Sequence, residues 1–266
     1  MNKVITLLTD FGLRDPYVAS MKGVILSINP SAVIVDLSHE VARHDVKAAA
    51  LLLWASYRFF PEGTIHVVVV DPGVGTARRP LAIKTKRYFF VGPDNGVLMM
   101  AALDDGLMEV REITNPSFML SIVSPTFHGR DVFAPTAAKI SLHHNAFKEV
   151  GPCVKDPVSL SPPTYSIKDH VAIGEVIHID IFGNIMTSIP SRVVEELVGY
   201  GGKCEIKVGI KRIETKLVKA YAEVKEGETL LVPDSFGLAE IAINKGDAAS
   251  FYNVKVGDRV EIKSLA

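Results

Sequence analysis

The sequence has 266 residues, 48% of them hydrophobic, with 29 basic and 30 acidic side chains and a formal net charge of −1. That length and apolar content suffice for one large packed domain or two smaller ones. The balanced charge offers no basic excess for nucleic acid, no polybasic block marks an anionic lipid surface, and the longest apolar runs fall well short of a membrane span.

In chain order, residues 3–9 (KVITLLT) form an apolar run ending at Asp10, and the N-terminus MNKVITLLTDFG reads as a strand rather than a signal peptide. Asp15 followed by Pro16 predicts a helix N-cap with proline at the first helical position. The helix runs to about Ile28, where Asn29-Pro30 stops it. Residues 32–37 (AVIVDL) read as a second, buried strand, 45–59 as a helix rich in Ala and Leu, and 64–70 (TIHVVVV) as a third strand ending at Asp71. Strands at 81–85 and 88–91 follow, then the strong turn signal Pro93-Asp94-Asn95-Gly96, a short helix and a further strand. A helix from about Asp131 to His144 closes this half. Alternation of strand and helix predicts a mostly parallel sheet covered on both faces, an α/β/α domain over residues 1–150.

The stretch 151–165 (GPCVKDPVSLSPPTY) carries four prolines and little periodicity, and predicts a linker over 151–168. Beyond it, short strands at 171–179, 185–189, 203–208, 229–232, 238–243 and 259–263, with one helical pattern at about 190–198, predict a smaller β-barrel domain over 169–266. The two cysteines, Cys153 and Cys204, form no CxxC pair and fit free thiols in a reducing compartment, so a cytoplasmic location is expected.

Asp10, Asp36 and Asp71 stand at or just after strand ends, where open α/β sheets bind ligands, although an aspartate there can equally cap the next turn. Asp71 opens DPGVGTARRP (71–80), whose glycines let backbone approach a ligand but which lacks the lysine of a phosphate loop. Either Arg78 or Arg79 can reach back to pair Asp71. In TFHGRD (126–131), His128 precedes a glycine at a helix start. The histidines of HEVARH (39–44) are five apart, not the four a zincin helix needs, and no metal site is expected. Asp180 and Asn184 flank Phe182-Gly183 in HIDIFGNIMTSI (178–189), which also reads as a plain hairpin turn. Ser235 and Phe236 precede Gly237 in PDSFGLAEIAIN (233–244).

Together, TDFGLRDPYVASMKGVI (9–25), FFPEGTIHVVVVDPGVGTARRP (59–80), VGPDNGVL (91–98), TFHGRDVFAP (126–135), IDIFGNIMTSI (179–189) and DSFGLAEIAIN (234–244) resemble the S-adenosyl-L-methionine (SAM) hydroxide adenosyltransferase family, which is related to fluorinase and chlorinase enzymes. The resemblance spans essentially the whole chain. It implies an N-terminal α/β domain, a C-terminal β-barrel, hydrolysis of SAM to adenosine and methionine without a cofactor, and a homotrimer with active sites between subunits. It carries a catalytic Asp–Arg–His triad onto Asp71, Arg78 and His128, and a ribose-binding aspartate onto Asp10. Asp15, Tyr17, Asp180 and Ser235 match contacts near the methionine end, Asn184 an adenine contact, and Asn244 and Lys245 an adenine-binding turn. Phe236 either stacks on the substrate or packs in the core. The halogenating relatives carry an uncharged residue where Asp71 stands, a Tyr-Ser pair where His128-Gly129 stands, arginine at the Phe236 position and tryptophan at the His44 position. Those departures argue against halide as nucleophile. Two other readings remain in view: a halide-using enzyme on the same scaffold, and a non-catalytic SAM or adenosine sensor.

Overall fold

The computed structural model describes residues 3–265. The chain divides into two compact units, Met1–Ser161 and Pro162–Ala266. The boundary falls inside the proline-rich stretch. Its first part stays bonded to the first unit, with Glu112 N donating to Pro152 O at 2.9 Å and Val154 N to Val110 O at 2.8 Å. From Ser166 the chain is already a strand of the second unit.

In the first unit, β1 (Val4–Thr9), α1 (Tyr17–Ile28), β2 (Val33–Ser38), α2 (Val46–Ser56), β3 (Ile65–Val69), β4 (Pro80–Thr85), β5 (Phe89–Pro93), α3 (Met99–Asp104), β6 (Leu107–Glu112) and α4 (Ala134–Leu142) follow in order. They build a six-stranded sheet in the order β2-β1-β3-β5-β4-β6. β2, β1, β3 and β5 run parallel, while β4 is antiparallel to both its neighbours. Side chains alternate across a strand. Ile5 and Leu7 therefore face a core shared with Met21 and Ile25 of α1 and Ala137 and Ile140 of α4. Leu8, Val68 and Val70 face the opposite core, with Leu53 of α2 and Ala101 of α3. Every residue of β3 is buried, as expected for a central parallel strand covered on both faces.

Three local expectations change. The second strand is not buried: β2 lies at the sheet edge and Val33 is 55% exposed. Asp15 does not cap α1, which starts one residue later, with Pro16 at the cap position and no side-chain cap bond. The last helix of this unit does not run regularly from Asp131 to His144. A π segment over Gly129–Phe133 precedes α4, which ends at Leu142. Pro135 is the physical cause. It has no N–H to donate back to the carbonyl of Asp131, and its ring crowds that oxygen. Leu120 N takes the released Asp131 oxygen at 2.9 Å instead.

The second unit comprises β7 (Ser166–Lys168), β8 (Val171–Ile179), β9 (Ile185–Pro190), α5 (Ser191–Val198), β10 (Lys203–Val208), β11 (Lys211–Lys216), β12 (Thr229–Pro233), β13 (Leu238–Ile243), α6 (Ala248–Tyr252) and β14 (Arg259–Ser264). The strands form an antiparallel sheet ordered β11-β10-β14-β8-β9-β13-β12, with β7 added beside β8. A bridge between Leu217 and Leu231 joins the β11 and β12 ends, so the sheet is a nearly closed barrel. Cys204, Ile206 and Val208 point inward from β10 and meet Val260 and Ile262 of β14. Sequence reading missed β11 because KRIETK buries only Ile213. Charged alternation of that kind carries little strand signal.

Candidate active site

The arrangement begins with two adjacent parallel strands. β1 ends at Thr9 and β3 at Val69, so Asp10 and Asp71 leave neighbouring carboxyl ends of the sheet. A cleft of about 340 Å³ opens there, lined by residues that include Asp10, Asp15, Tyr17, Asp71 and His128. Phe11, Tyr17 and Phe127 form one wall, with ring centroids 5.7, 5.9 and 5.3 Å apart in the three pairs. Asp10 Oδ2 accepts from His44 N at 2.9 Å. That bond holds His44 in a left-handed conformation, φ 65°, uncommon for a residue with a Cβ.

Residues 71–78 double back, so Arg78, not Arg79, meets Asp71. Arg78 Nε donates to Asp71 Oδ1 at 3.1 Å, and Nη2 donates to Oδ2. The same Nη2 reaches His128 Nδ1 at 3.1 Å. The Asp71 and Arg78 side chains are only 5% and 7% exposed. Arg78 Nη1 is also buried and has no hydrogen-bond partner among the described residues. The segment turns at Gly75, whose φ is +76° and where an added Cβ would overlap the carbonyl oxygen of Pro125. Residues 71–78 therefore lie directly against the stretch that carries His128.

Electrostatics assigns the protonation states. Burial raises the Asp71 pKa above the usual carboxylate value, and the Arg78 charge opposes it. For His128, burial and the Arg78 charge both lower the pKa, so the ring is neutral at neutral pH. A guanidinium has only donors, so His128 Nδ1 must accept and the ring proton sits on Nε2. His128 already carries its single proton there.

The remaining predicted residues all lie in the second unit. Asp180 sits in the β8–β9 turn, where Oδ1 accepts from Phe182 N at 2.9 Å and Asn184 N at 2.8 Å, and Oδ2 accepts from Asn184 Nδ2 at 3.0 Å. Ser235 is exposed and Phe236 half-buried in the β12–β13 turn, which Asp234 closes through bonds from Phe236 N and Leu238 N. Asn244 Nδ2 donates to Val224 O at 2.8 Å, and Lys245 pairs Glu226 at 2.8 Å. Sequence reading overlooked Glu240. It is 6% exposed, accepts from the Tyr221 hydroxyl at 2.6 Å, and has its pKa pushed up to about 7 by burial and by the charges of Asp180 and Asp234. Its inward place on an apolar strand was the available signal. Phe11, Arg43, Val74, Thr126 and Phe127 also line the first unit's cleft. Among the described residues, no group of three or more His, Cys, Asp or Glu could hold a metal ion.

Residues 5–151 match the SAM hydroxide adenosyltransferase N-terminal domain, and residues 174–261 match the C-terminal domain of the same name. The chain is 34% identical over 261 residues to an (R)-S-adenosyl-L-methionine hydrolase of Salinispora tropica, covering 97% of each sequence. It is 29% identical over 290 residues to a fluorinase of Nocardia brasiliensis, covering 98% of this chain and 96% of that one. An uncharacterized conserved protein from Thermotoga maritima superposes with a TM-score of 0.94 at 41% identity, over 97% of this chain and 99% of that one.

Proposed function

The chain belongs to the SAM hydroxide adenosyltransferase family, and on that premise we propose that it hydrolyses SAM to adenosine and L-methionine by attack of water on the ribose 5′ carbon. The Salinispora relative is named for the R configuration at sulfur, and the same epimer is the proposed substrate here. The observation that carries the reading is the buried Arg78 joining Asp71 to His128 at a cleft that also holds Asp10.

The sulfonium of SAM leaves as a neutral thioether, so the reaction needs no acid at the leaving group. It needs a water whose proton is removed as its oxygen bonds to the 5′ carbon and the carbon–sulfur pair departs with sulfur. His128 is a poor acceptor for that proton, since Nδ1 receives Arg78 and Nε2 is protonated. Asp71 is the proposed base: it is buried, charged, and retains acceptor capacity beyond its two bonds to Arg78. The Nε2–H of His128, a residue that lines the cleft, supplies a donor that favours hydroxide character on the attacking oxygen. The Asp71 charge disfavours an anionic nucleophile such as halide, and a sensor has no use for a buried base paired to arginine. Asp10 fits the ribose diol, because a carboxylate accepts from two hydroxyls.

Turnover in ¹⁸O-water should place the label on the 5′ hydroxyl of adenosine, read by mass spectrometry. Adenosine free of label would eliminate direct attack by water.

Substrate-matching residues occur in both units: Asp10, Asp15, Tyr17, Asp71, Arg78 and His128 in one, and Asp180, Asn184, Ser235, Phe236, Asn244 and Lys245 in the other. We infer a homotrimer in which these two sets meet across subunits, as the family resemblance implies. Mixing Asp71→Ala with Ser235→Ala protein should then restore activity after subunit exchange. Mixed trimers without recovered activity would argue for a site within one chain. Among the described residues no helix is long and apolar enough to cross a membrane. With Cys153 and Cys204 both free, the cytoplasm is the proposed location.

A further inference from the structure

We propose that the Pro93–Gly96 turn is a positioning device for the reaction, with Asn95 and Asp94 gripping the two ends of the segment that carries Asp71 and Arg78. The inference rests on the reading of Asp71 as the base. Asn95 Nδ2 donates to Val70 O at 2.9 Å, fixing the residue immediately before Asp71. Asp94 N donates to Arg79 O at 2.9 Å, and Arg79 Nε donates to Asp94 Oδ2 at 2.7 Å, fixing the residue immediately after Arg78. One four-residue turn thus fastens both ends of segment 71–78.

The turn is itself held. Asn95 Oδ1 accepts from Val97 N at 3.2 Å, and Asp94 Oδ1 accepts from Val158 N at 2.8 Å. The Asp94 side chain is 3% exposed. At Gly96, φ is +93° and an added Cβ would lie 2.7 Å from Leu160 Cγ, so only glycine lets the turn close beneath that residue. Arg79 is anchored further by Asp156, through Nη1 to Oδ1 at 2.9 Å and Nη2 to the backbone oxygen at 2.8 Å. This division of labour explains two adjacent arginines: Arg78 serves Asp71 and His128, while Arg79 ties down the segment.

Neither Asp94 nor Asn95 lines the cleft, so both act through Asp71 and Arg78. The segment's own bonds, Val74 N to Asp71 O and Thr76 N to Gly73 O at 3.2 Å each and Arg78 N to Thr76 Oγ1 at 3.3 Å, shape it from within, while the turn ties its flanking residues Val70 and Arg79 to the rest of the unit. A guanidinium that must meet a carboxylate through two bonds and an imidazole through one tolerates little displacement. A shift of about 1 Å at such a group can cost ~10²-fold in rate.

The test is a double-mutant cycle of Asn95→Ala and Asp71→Asn, reading kcat, KM and Tm for all four proteins. Asn95→Ala should lower kcat by ~10- to 10²-fold with KM changed less than about threefold. In the Asp71→Asn background the same change should lower kcat by less than about threefold, because the group it positions is already disabled. Its Tm decrement should be equal in both backgrounds. A folded Asn95→Ala protein with full kcat, or equal fold losses in the two backgrounds, would overturn the positioning role. Normal turnover by Asp71→Asn alone would instead overturn the catalytic reading beneath it. Should Asn95→Ala fail to fold, Asp94→Asn, which keeps the shape and weakens the Arg79 anchor, passes through the same cycle under the same criteria.

Discussion

Asp71→Asn should lower kcat by ~10²-fold or more while leaving SAM affinity nearly unchanged. The substitution keeps the side chain's size but removes its charge. It also replaces one acceptor oxygen by a donor that confronts the Arg78 guanidinium, which approaches through both Nε and Nη2. Two consequences follow. The water loses its proton acceptor, and Arg78 loses half of its anchorage. Both bear on the transition state, in which the attacking oxygen gains charge, whereas the bound substrate is held largely by other groups. Loss confined to the transition state lowers kcat and kcat/KM together. Single-turnover kinetics and calorimetric SAM binding separate the two quantities. Normal turnover combined with weakened binding would make Asp71 a substrate ligand, and the proposed water-activating role would be wrong.

Arg78→Ala should be the most destabilising change at the site, by about 3–5 kcal/mol at pH 8, with activity lost throughout the pH range. The Asp71 side chain is 5% exposed, and no other cation is bonded to it among the described residues. Burial already pushes its pKa up from 3.8, and Arg78 is the largest influence opposing that push. Without Arg78 the native pKa rises further, so the folded protein keeps a proton that the unfolded chain has released. Stability then falls as pH rises from the ordinary carboxylate value through the raised one. The Tm deficit relative to the parent protein should therefore be smaller at pH 5 than at pH 8. Scanning calorimetry at the two pH values measures it. An equal deficit at both would mean that Asp71 is solvated once its partner is gone. Arg78→Lys should relieve part of the instability but recover little activity. A single ammonium cannot make two parallel bonds to a carboxylate and also reach the His128 ring.

Much of this protein is legible before any coordinates. The apolar runs 3–9 and 64–70 end in Asp10 and Asp71, and hydrophobic periodicity, a local property, is enough to place both carboxylates at the ends of parallel strands. The turn signals at 93–96 and 182–184 likewise lie where Gly, Asn and Asp conformations require them, since those preferences belong to single residues. The change from strand–helix alternation to short strands marks two units for the same reason. Resemblance adds the chemistry, because DPGVGTARRP, TFHGRD and DSFGLAEIAIN stand in a family's order.

What depends on distant partners is different. Sequence pattern cannot say that β2 is an edge strand, because AVIVDL is apolar enough for the interior, and only the sheet order leaves Val33 exposed. It leaves open whether Arg78 or Arg79 pairs Asp71, since both are close enough in the chain. The fold decides it by offering Asp94 and Asp156 to Arg79. Nor can it protonate His128, whose tautomer follows from a guanidinium 50 positions away in the chain. Glu240 reads as one polar residue in a strand until burial and the charges of Asp180 and Asp234, opposed by the bond from the Tyr221 hydroxyl, push its pKa up to about 7. Local conformational preference is encoded residue by residue and survives in the bare sequence. Burial, partner choice and proton affinity are sums over groups brought together from far along the chain, and only the tertiary structure performs that sum.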